Sequence, residues 1–269
     1  MSFPKFDTLR LEREGAVAVL SLNRPDVGNA INLAMARDLL LAAIACDQDQ
    51  AIGAVLLRAD GPMFCVGGDV MAFANAGDSV GTLILEEIAF LHAAVSRLLR
   101  MDKPLVVAVH APAAGAGMSL AMMGDIVIAG QAANFTMAYT RIGLSPDGGA
   151  SWLLPRLVGL RRAQALIFEN QKVSAREAVE IGLVTQVVDD ASLMQVALDG
   201  ATRLAHGPTG AFAATRDLLL GSYGESVEVH LEHEARRIAN NIMSAHGQEG
   251  VAAFVEKRQP VFDSETTHR

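Results

Sequence analysis

The sequence has no excess of basic residues. Lys and Arg total 22 against 30 Asp and Glu, giving a formal net charge of −8 and a pI near 5.3. The basic footprint that nucleic-acid binding requires is therefore missing. The only cysteines are Cys46 and Cys65. Two thiols make no disulfide framework, and their separation is not that of metal ligands, so a reduced, cytoplasmic setting is expected. Residues 1–10 carry no apolar signal core. No segment repeats at a fixed period, and no low-complexity tail is present. Charged residues make up 19% and hydrophobic ones 51% of the 269 residues, a balance that argues against disorder and allows a sizeable core.

One apolar run has the length of a membrane span, residues 104–124. It contains Pro104, Pro112, Gly115, Gly117 and His110. Those breakers predict a buried strand, a glycine turn and a buried helix instead.

Elsewhere the pattern alternates. Residues 16–22 (AVAVLSL), 54–57 and 105–109 read as buried strands, joined by 125–129 and 184–188. Residues 33–46 have helical spacing through Leu33, Ala36, Leu40 and Ile44. Helices are also expected over 86–101, 115–123, 162–169 and 175–181, the last closed by Gly182. From Ser192 the chain reads as helix, broken at Gly207-Pro208. Strand–helix units first and helices last predict an α/β core over residues 1–195 and a helical appendage over 196–269.

Two segments share one design: a short apolar strand, a glycine-containing loop, then a helix. They are residues 54–69 (AVLLRADGPMFCVGGD) and 105–121 (LVVAVHAPAAGAGMSLA). Such turns expose backbone N–H groups that lack an intrahelical acceptor. Two of them face to face make an anion-stabilising site from backbone alone; as plain tight turns they use glycine for its dihedral freedom. Gly115-Ala116-Gly117 lacks the third small residue and the downstream acid of a dinucleotide fingerprint. The Gly-Lys-Ser/Thr ending of a phosphate loop is absent. Gly117-Met118-Ser119-Leu120-Ala121 approximates a nucleophile elbow, with His92, His110 and His206 as unflanked candidate partners. His230 and His233, among Glu228, Glu232 and Glu234, do not match the metalloprotease spacing and read as a solvated helix face. Asp147 lies between Pro146 and Gly148-Gly149, just before Trp152. A carboxylate beside apolar residues can serve as a base, and a turn aspartate after proline is the plain alternative.

Taken in order, several pieces resemble the enoyl-CoA hydratase/isomerase, or crotonase, superfamily. They are Leu22-Asn23-Arg24-Pro25 with Asn29-Ala30, Phe64-Cys65-Val66-Gly67-Gly68-Asp69, and Ala113-Ala114-Gly115-Ala116-Gly117 with Gly124-Asp125. Further on come Gly143-Leu144 with Pro146-Asp147, Ala178 with Gly182-Leu183-Val184, and residues 254–262 (FVEKRQPVF). The resemblance spans residues 10–262. It implies a ClpP/crotonase-like α/β spiral of strand–strand–helix units with a C-terminal trimerisation region, as a homotrimer or a dimer of trimers. It implies an acyl-CoA substrate, coenzyme A entering as part of that substrate, no separate cofactor or metal, and neither nucleic acid nor membrane as a partner.

The resemblance also assigns roles. The backbone N–H groups of Cys65 and Ala116 would form an oxyanion hole for a thioester enolate. Arg24, Ala30, Gly67, Gly68, Asp69 and Gly115 fall where the family binds its ligand, Thr136 and Tyr139 line the acyl pocket, and Lys257 reaches a phosphate. Family hydratases handle water with two glutamates, whose positions hold Ser119 and Tyr139 here. The remaining acid is Asp147. The stretch 143–155 (GLSPDGGASWLLP) resembles isomerases, including those acting on the ring-epoxide of phenylacetyl-CoA. The expectation is an isomerase with Asp147 as base. Hydration without the glutamates, a non-catalytic acyl-CoA binder and a serine hydrolase at Ser119 are the alternatives.

Overall fold

A computed structural model describes residues 3–262. The expectations for Met1, Ser2 and residues 263–269 lie outside the described residues. The chain runs β1 (Leu9–Glu14), β2 (Val17–Leu22), α1 (Leu33–Gln48), β3 (Ala54–Ala59), α2 (Val70–Asn75) and α3 (Val80–Arg100). Then come β4 (Leu105–Val109), β5 (Ala113–Ala114), α4 (Ala116–Ala121), β6 (Ile126–Gly130) and β7 (Asn134–Thr136). They are followed by α5 (Ala150–Val158), α6 (Leu160–Phe168), β8 (Val173–Ser174), α7 (Ala175–Glu180) and β9 (Gln186–Val188). The last elements among the described residues are α8 (Leu193–Ala205), α9 (Thr209–Gly221), α10 (Val227–Met243) and α11 (Ala245–Glu256).

Six strands form the main sheet in the order β1-β2-β3-β4-β6-β9. β1 and β2 are antiparallel, and every other pair is parallel. Strand residues alternate between two cores because side chains leave a strand on opposite faces in turn. Ala18, Leu20, Leu22, Val55, Leu57, Val107 and Val109 face α1 and α3. Val17, Val19, Leu56, Val106, Ala108 and Ile128 face Leu193, Ala197 and Ala201 of α8. Strands covered on both sides read as unbroken apolar runs, which is why they stood out in the sequence. β5, β7 and β8 make a second, three-stranded sheet.

The expected division at 195/196 falls inside α8, whose Ala197 and Ala201 are fully buried on the main sheet. That helix is thus a layer of the core, and the helices that project from it begin at α9. β1 was not expected. Its sequence, LRLERE, buries only Leu9, as suits a charged edge strand that discourages further pairing. The buried stripe of α1 is Met35, Ala36, Leu39, Ala42, Ala43 and Cys46, so the expected Leu33–Ile44 side is rotated towards solvent. Asn32 caps this helix at its start by accepting from the Met35 N–H at 3.0 Å. At its end the buried Lys103 ammonium donates to the carbonyls of Cys46, Asp47 and Asp49, where a cation meets the negative end of the helix.

Among the described residues, no helix is long and apolar enough to cross a membrane. Residues 104–124 fold as β4, β5 and α4. Residues 71–83 hold most of α2, a short 3-10 turn and the first residues of α3. The early start of α3 matters for the site, because it adds Ile84 to the wall that Glu87 and Leu91 share.

Candidate active site

The two glycine turns do meet. Cys65 and Ala113 form a parallel backbone bridge, which brings α4 against the first turn. The approach is so close that a Cβ on Gly117 would lie 2.2 Å from the Cys65 carbonyl oxygen; only glycine fits there. A Cβ on Gly67, whose φ is +105°, would lie 3.5 Å from the Ala116 nitrogen.

The donors can be followed one by one. The Cys65 N–H donates to the Pro112 carbonyl at 3.3 Å, and those of Val66, Asp69 and Val70 donate to Gly28, Ile31 and Gly68. The Gly67 N–H points at the Cys65 sulfur, 3.5 Å away. Among the described residues the Gly68 N–H has no acceptor. Ala116 opens α4, so its N–H has no acceptor within the helix. Gly68 and Ala116 both line one cavity of about 210 Å³, and Cys65 does not. The geometry therefore moves the expected first donor from Cys65 to Gly68. The Cys65 thiol is no reactive group either. It is buried, hydrogen-bonded to the Asn29 carbonyl at 3.1 Å, and pushed up to about 12 by that burial.

Opposite these turns stands the loop that leads into α5. Tyr139 donates its phenolic O–H to Asp147 Oδ1 at 2.6 Å. Ser119 donates to the Asp147 backbone carbonyl at 3.1 Å and lies 3.1 Å from the Tyr139 hydroxyl. The Gly148 N–H donates to His92 Nε2 on α3 at 3.1 Å. The loop is thus pinned from α4, from α3 and from the turn after β7. Burial, and then the Asp147 charge, push the Tyr139 phenol above its usual range, so it stays a donor. Ser119 is fully buried, and its hydroxyl is engaged with Gly115, Tyr139 and Asp147. No histidine hydrogen-bonds it among the described residues, so the hydrolase alternative has no base at this serine.

The remaining expected residues divide into two groups. Gly67, Gly68, Gly115, Ala116, Tyr139 and Asp147 line the cavity. Arg24, Ala30, Asp69, Thr136 and Lys257 do not. Arg24 pairs with Asp69 at 3.1 Å and donates to the Ala30 carbonyl, while Asp69 also caps α2 through the Ala72 N–H at 3.1 Å. Thr136 accepts the Gly115 N–H through its carbonyl at 3.0 Å and so sets the second turn from behind. Lys257 is exposed at the end of α11, with φ +58°.

The model of the enoyl-CoA hydratase/isomerase family matches residues 12–265. The chain belongs to the enoyl-CoA hydratase/isomerase family. It is 38% identical to a Rhodobacter capsulatus protein named "Probable enoyl-CoA hydratase", over 96% of this chain and 98% of that one. It is 37% identical to the 1,2-epoxyphenylacetyl-CoA isomerase of Escherichia coli, covering 93% and 95% of the two chains. The crystal structure of an enoyl-CoA hydratase from Polaromonas sp. superposes with a TM-score of 0.90 at 30% identity, over 95% of this chain and 99% of that one. The expected crotonase fold is thereby shown, along with the α/β core and helical C-terminal region.

In this enoyl-CoA hydratase/isomerase family member one wall residue was not foreseen. Glu87 on α3 lines the cavity and is only 5% exposed. Its Oε2 is buried without a hydrogen-bond partner. Burial, then the nearby charges of Asp147 and Asp69, push the carboxyl up to about 7 against the opposing pull of Arg24. A signal was present. Glu87 is three residues from Ile84 and four from Leu91, on the apolar side of the helix.

Proposed function

We propose that this chain is an acyl-CoA isomerase in which Asp147 moves the proton. The observation that carries the reading is the 2.6 Å hydrogen bond from Tyr139 to Asp147. Where two-glutamate hydration needs carboxylates, this chain places Ser119 and Tyr139, and both are used to hold a third residue, Asp147. One oriented carboxylate suits a reaction that removes a proton from one carbon and returns it to another.

The chemistry follows from the two sides of the cavity. A thioester carbonyl oxygen placed between the Gly68 and Ala116 N–H groups gains negative charge as the adjacent carbon loses its proton. Two aimed N–H groups stabilise that charge without reorganising, and the positive end of α4 adds to the effect. Asp147 holds the proton in the interval. Proton return at the far end of the dienolate shifts the double bond by one position and leaves no net change in composition. Apolar residues, among them Phe73, Ile84, Ile88 and Leu144, leave room for an acyl chain and little for water.

Coenzyme A as the thiol portion, with no other cofactor, completes the reading. Arg24 and Asp69 organise the turn that the ligand would cross rather than offering a free charge. Subunit contact through α9 to α11 is part of the same proposal. Val227, Leu231, Ile238 and Phe254 are exposed there, at 56% to 86%, and Lys257 lies at the end of that surface.

The test is incubation with 3-hexenoyl-CoA, with the product followed by NMR and mass spectrometry. The proposal expects 2-hexenoyl-CoA of unchanged mass. A product heavier by one water would replace the isomerase reading with hydration.

A further inference from the structure

Glu87 has no task in the reaction just described, and its setting is unusual. It projects from α3 into a cavity whose neighbouring wall is Phe73, Ile84, Ile88 and Leu91. Its residue is 95% removed from solvent, and Oε2 meets no donor or acceptor. Buried polar groups in folded proteins are paired almost without exception. Glu87 lines the cavity as a buried carboxyl with one unpaired oxygen, and the few polar groups in an apolar ligand cavity are those that select the ligand.

We propose that Glu87, as a neutral carboxylic acid, donates a hydrogen bond to an acceptor oxygen carried by the acyl group. The cavity then prefers acyl thioesters bearing a keto, ether or epoxide oxygen over plain hydrocarbon chains. The inference rests on the acyl-CoA reading above and names its substrate class.

The charged and titratable groups around Glu87 fit the neutral form. Asp147 approaches from the loop before α5 and Asp69 from the start of α2, and both disfavour a second negative charge. Arg24, from the turn after β2, is the one opposing cation, and it is already paired with Asp69. Tyr139 shares the cavity, but its O–H is given to Asp147. On α1, Arg37 is taken by Glu86. A neutral carboxyl has one O–H to donate, and its Oε2 has no partner among the described residues. A hydrocarbon chain would leave that donor buried and unpaired, whereas an acceptor oxygen would satisfy it. Sites built to pair a polar group of the ligand reject the analogue that lacks it far more strongly than apolar sites reject a mismatch.

The test is calorimetric binding of three saturated esters, hexanoyl-CoA, 4-oxohexanoyl-CoA and 5-oxohexanoyl-CoA, to the full chain. Saturated esters carry no double bond to move, so binding is read apart from turnover. At pH 6 at least one oxo ester is expected to bind about ten-fold tighter or more than hexanoyl-CoA, the scale of one satisfied buried hydrogen bond. The preference should fade by pH 8.5, as Glu87 ionises. Glu87→Leu should abolish it and leave hexanoyl-CoA bound at least as well. Glu87→Gln keeps a donor and should retain the preference at both pH values. Equal binding of all three esters to the unaltered chain at pH 6 would overturn the inference, as would a preference that survives Glu87→Leu. Equal binding removes this inference alone, whereas failure of every ester to bind removes the thioester reading along with it.

Discussion

Two carboxyl groups share one cavity, and the protein treats them in opposite ways. Asp147 sits in a loop held by Tyr139, Ser119 and His92, with a phenolic donor 2.6 Å from its carboxylate oxygen. Glu87 sits on a regular helix with apolar neighbours and an oxygen that meets nothing. One is oriented by hydrogen bonds and the other is left to desolvation. Burial favours the neutral form of the second, Glu87. A single cavity can therefore present a base on one wall and an acid on another, which is how pairs of carboxyls divide their roles.

Removing the base should have the largest effect. Asp147→Asn should lower kcat by about 10³-fold, within the range of general-base catalysis, while binding of a saturated acyl-CoA stays within about two-fold by calorimetry, since polar surface is merely exchanged there. Next is the oxyanion side. Ala116→Pro removes one N–H at the first helical position, where proline is well tolerated, and should cost about 10² in kcat. Replacing Cys65 with Ala leaves both proposed donors in place and should change kcat by less than about three-fold, a difference below that of a lost oxyanion donor. Cys65→Ala keeps the backbone N–H of that residue, so it tests only whether the buried thiol takes part.

On the isomerase proposal, Tyr139 positions Asp147 through their hydrogen bond. Tyr139→Phe should lower kcat by about ten-fold, as a charge-assisted hydrogen bond is lost, with KM little changed, because the loop keeps its bonds to Ser119 and His92. A merely structural tyrosine would instead lower thermal stability at unchanged kcat.

The smallest effect concerns Glu87 and stability. Its carboxyl titrates near 7 in the folded chain, above its ordinary value of 4.5. The folded state therefore holds its proton more tightly, so this residue's contribution is full below pH 4.5 and is lost as pH rises through 7. Glu87→Gln should accordingly stabilise the protein more at pH 8 than at pH 5, by about 1–2 kcal/mol after allowance for residual solvent screening. Thermal unfolding at the two pH values reads the difference.

Much of this arrangement was legible before any coordinates. Strands buried on both faces are uninterrupted apolar runs, so β2, β3, β4 and β6 stood out, and the glycines of the two turns marked where backbones approach. Asp147 was visible from its Pro–Asp–Gly–Gly setting. What stayed hidden depends on pairings between distant segments. Which N–H of the first turn is free follows from the bridges Cys65 to Ala113 and Ile31 to Gly68, and no local pattern encodes them. The start of α3 was masked by Gly77 and Gly81, whereas Glu87 fell inside the expected helix and its burial depended on the cavity it lines. The role of Tyr139 required the turn after β7 to fold back over α4. β1 lacks the apolar alternation that reveals a strand, because it is an edge.

Exchange of the C2 proton of 3-hexenoyl-CoA in deuterated water, followed by NMR for the unaltered chain and for Asp147→Asn, tests the central claim most directly. The account predicts deuterium uptake with migration of the double bond in the first, and neither in the second, with binding retained. Exchange that persists in Asp147→Asn would contradict it and place the base elsewhere in the cavity.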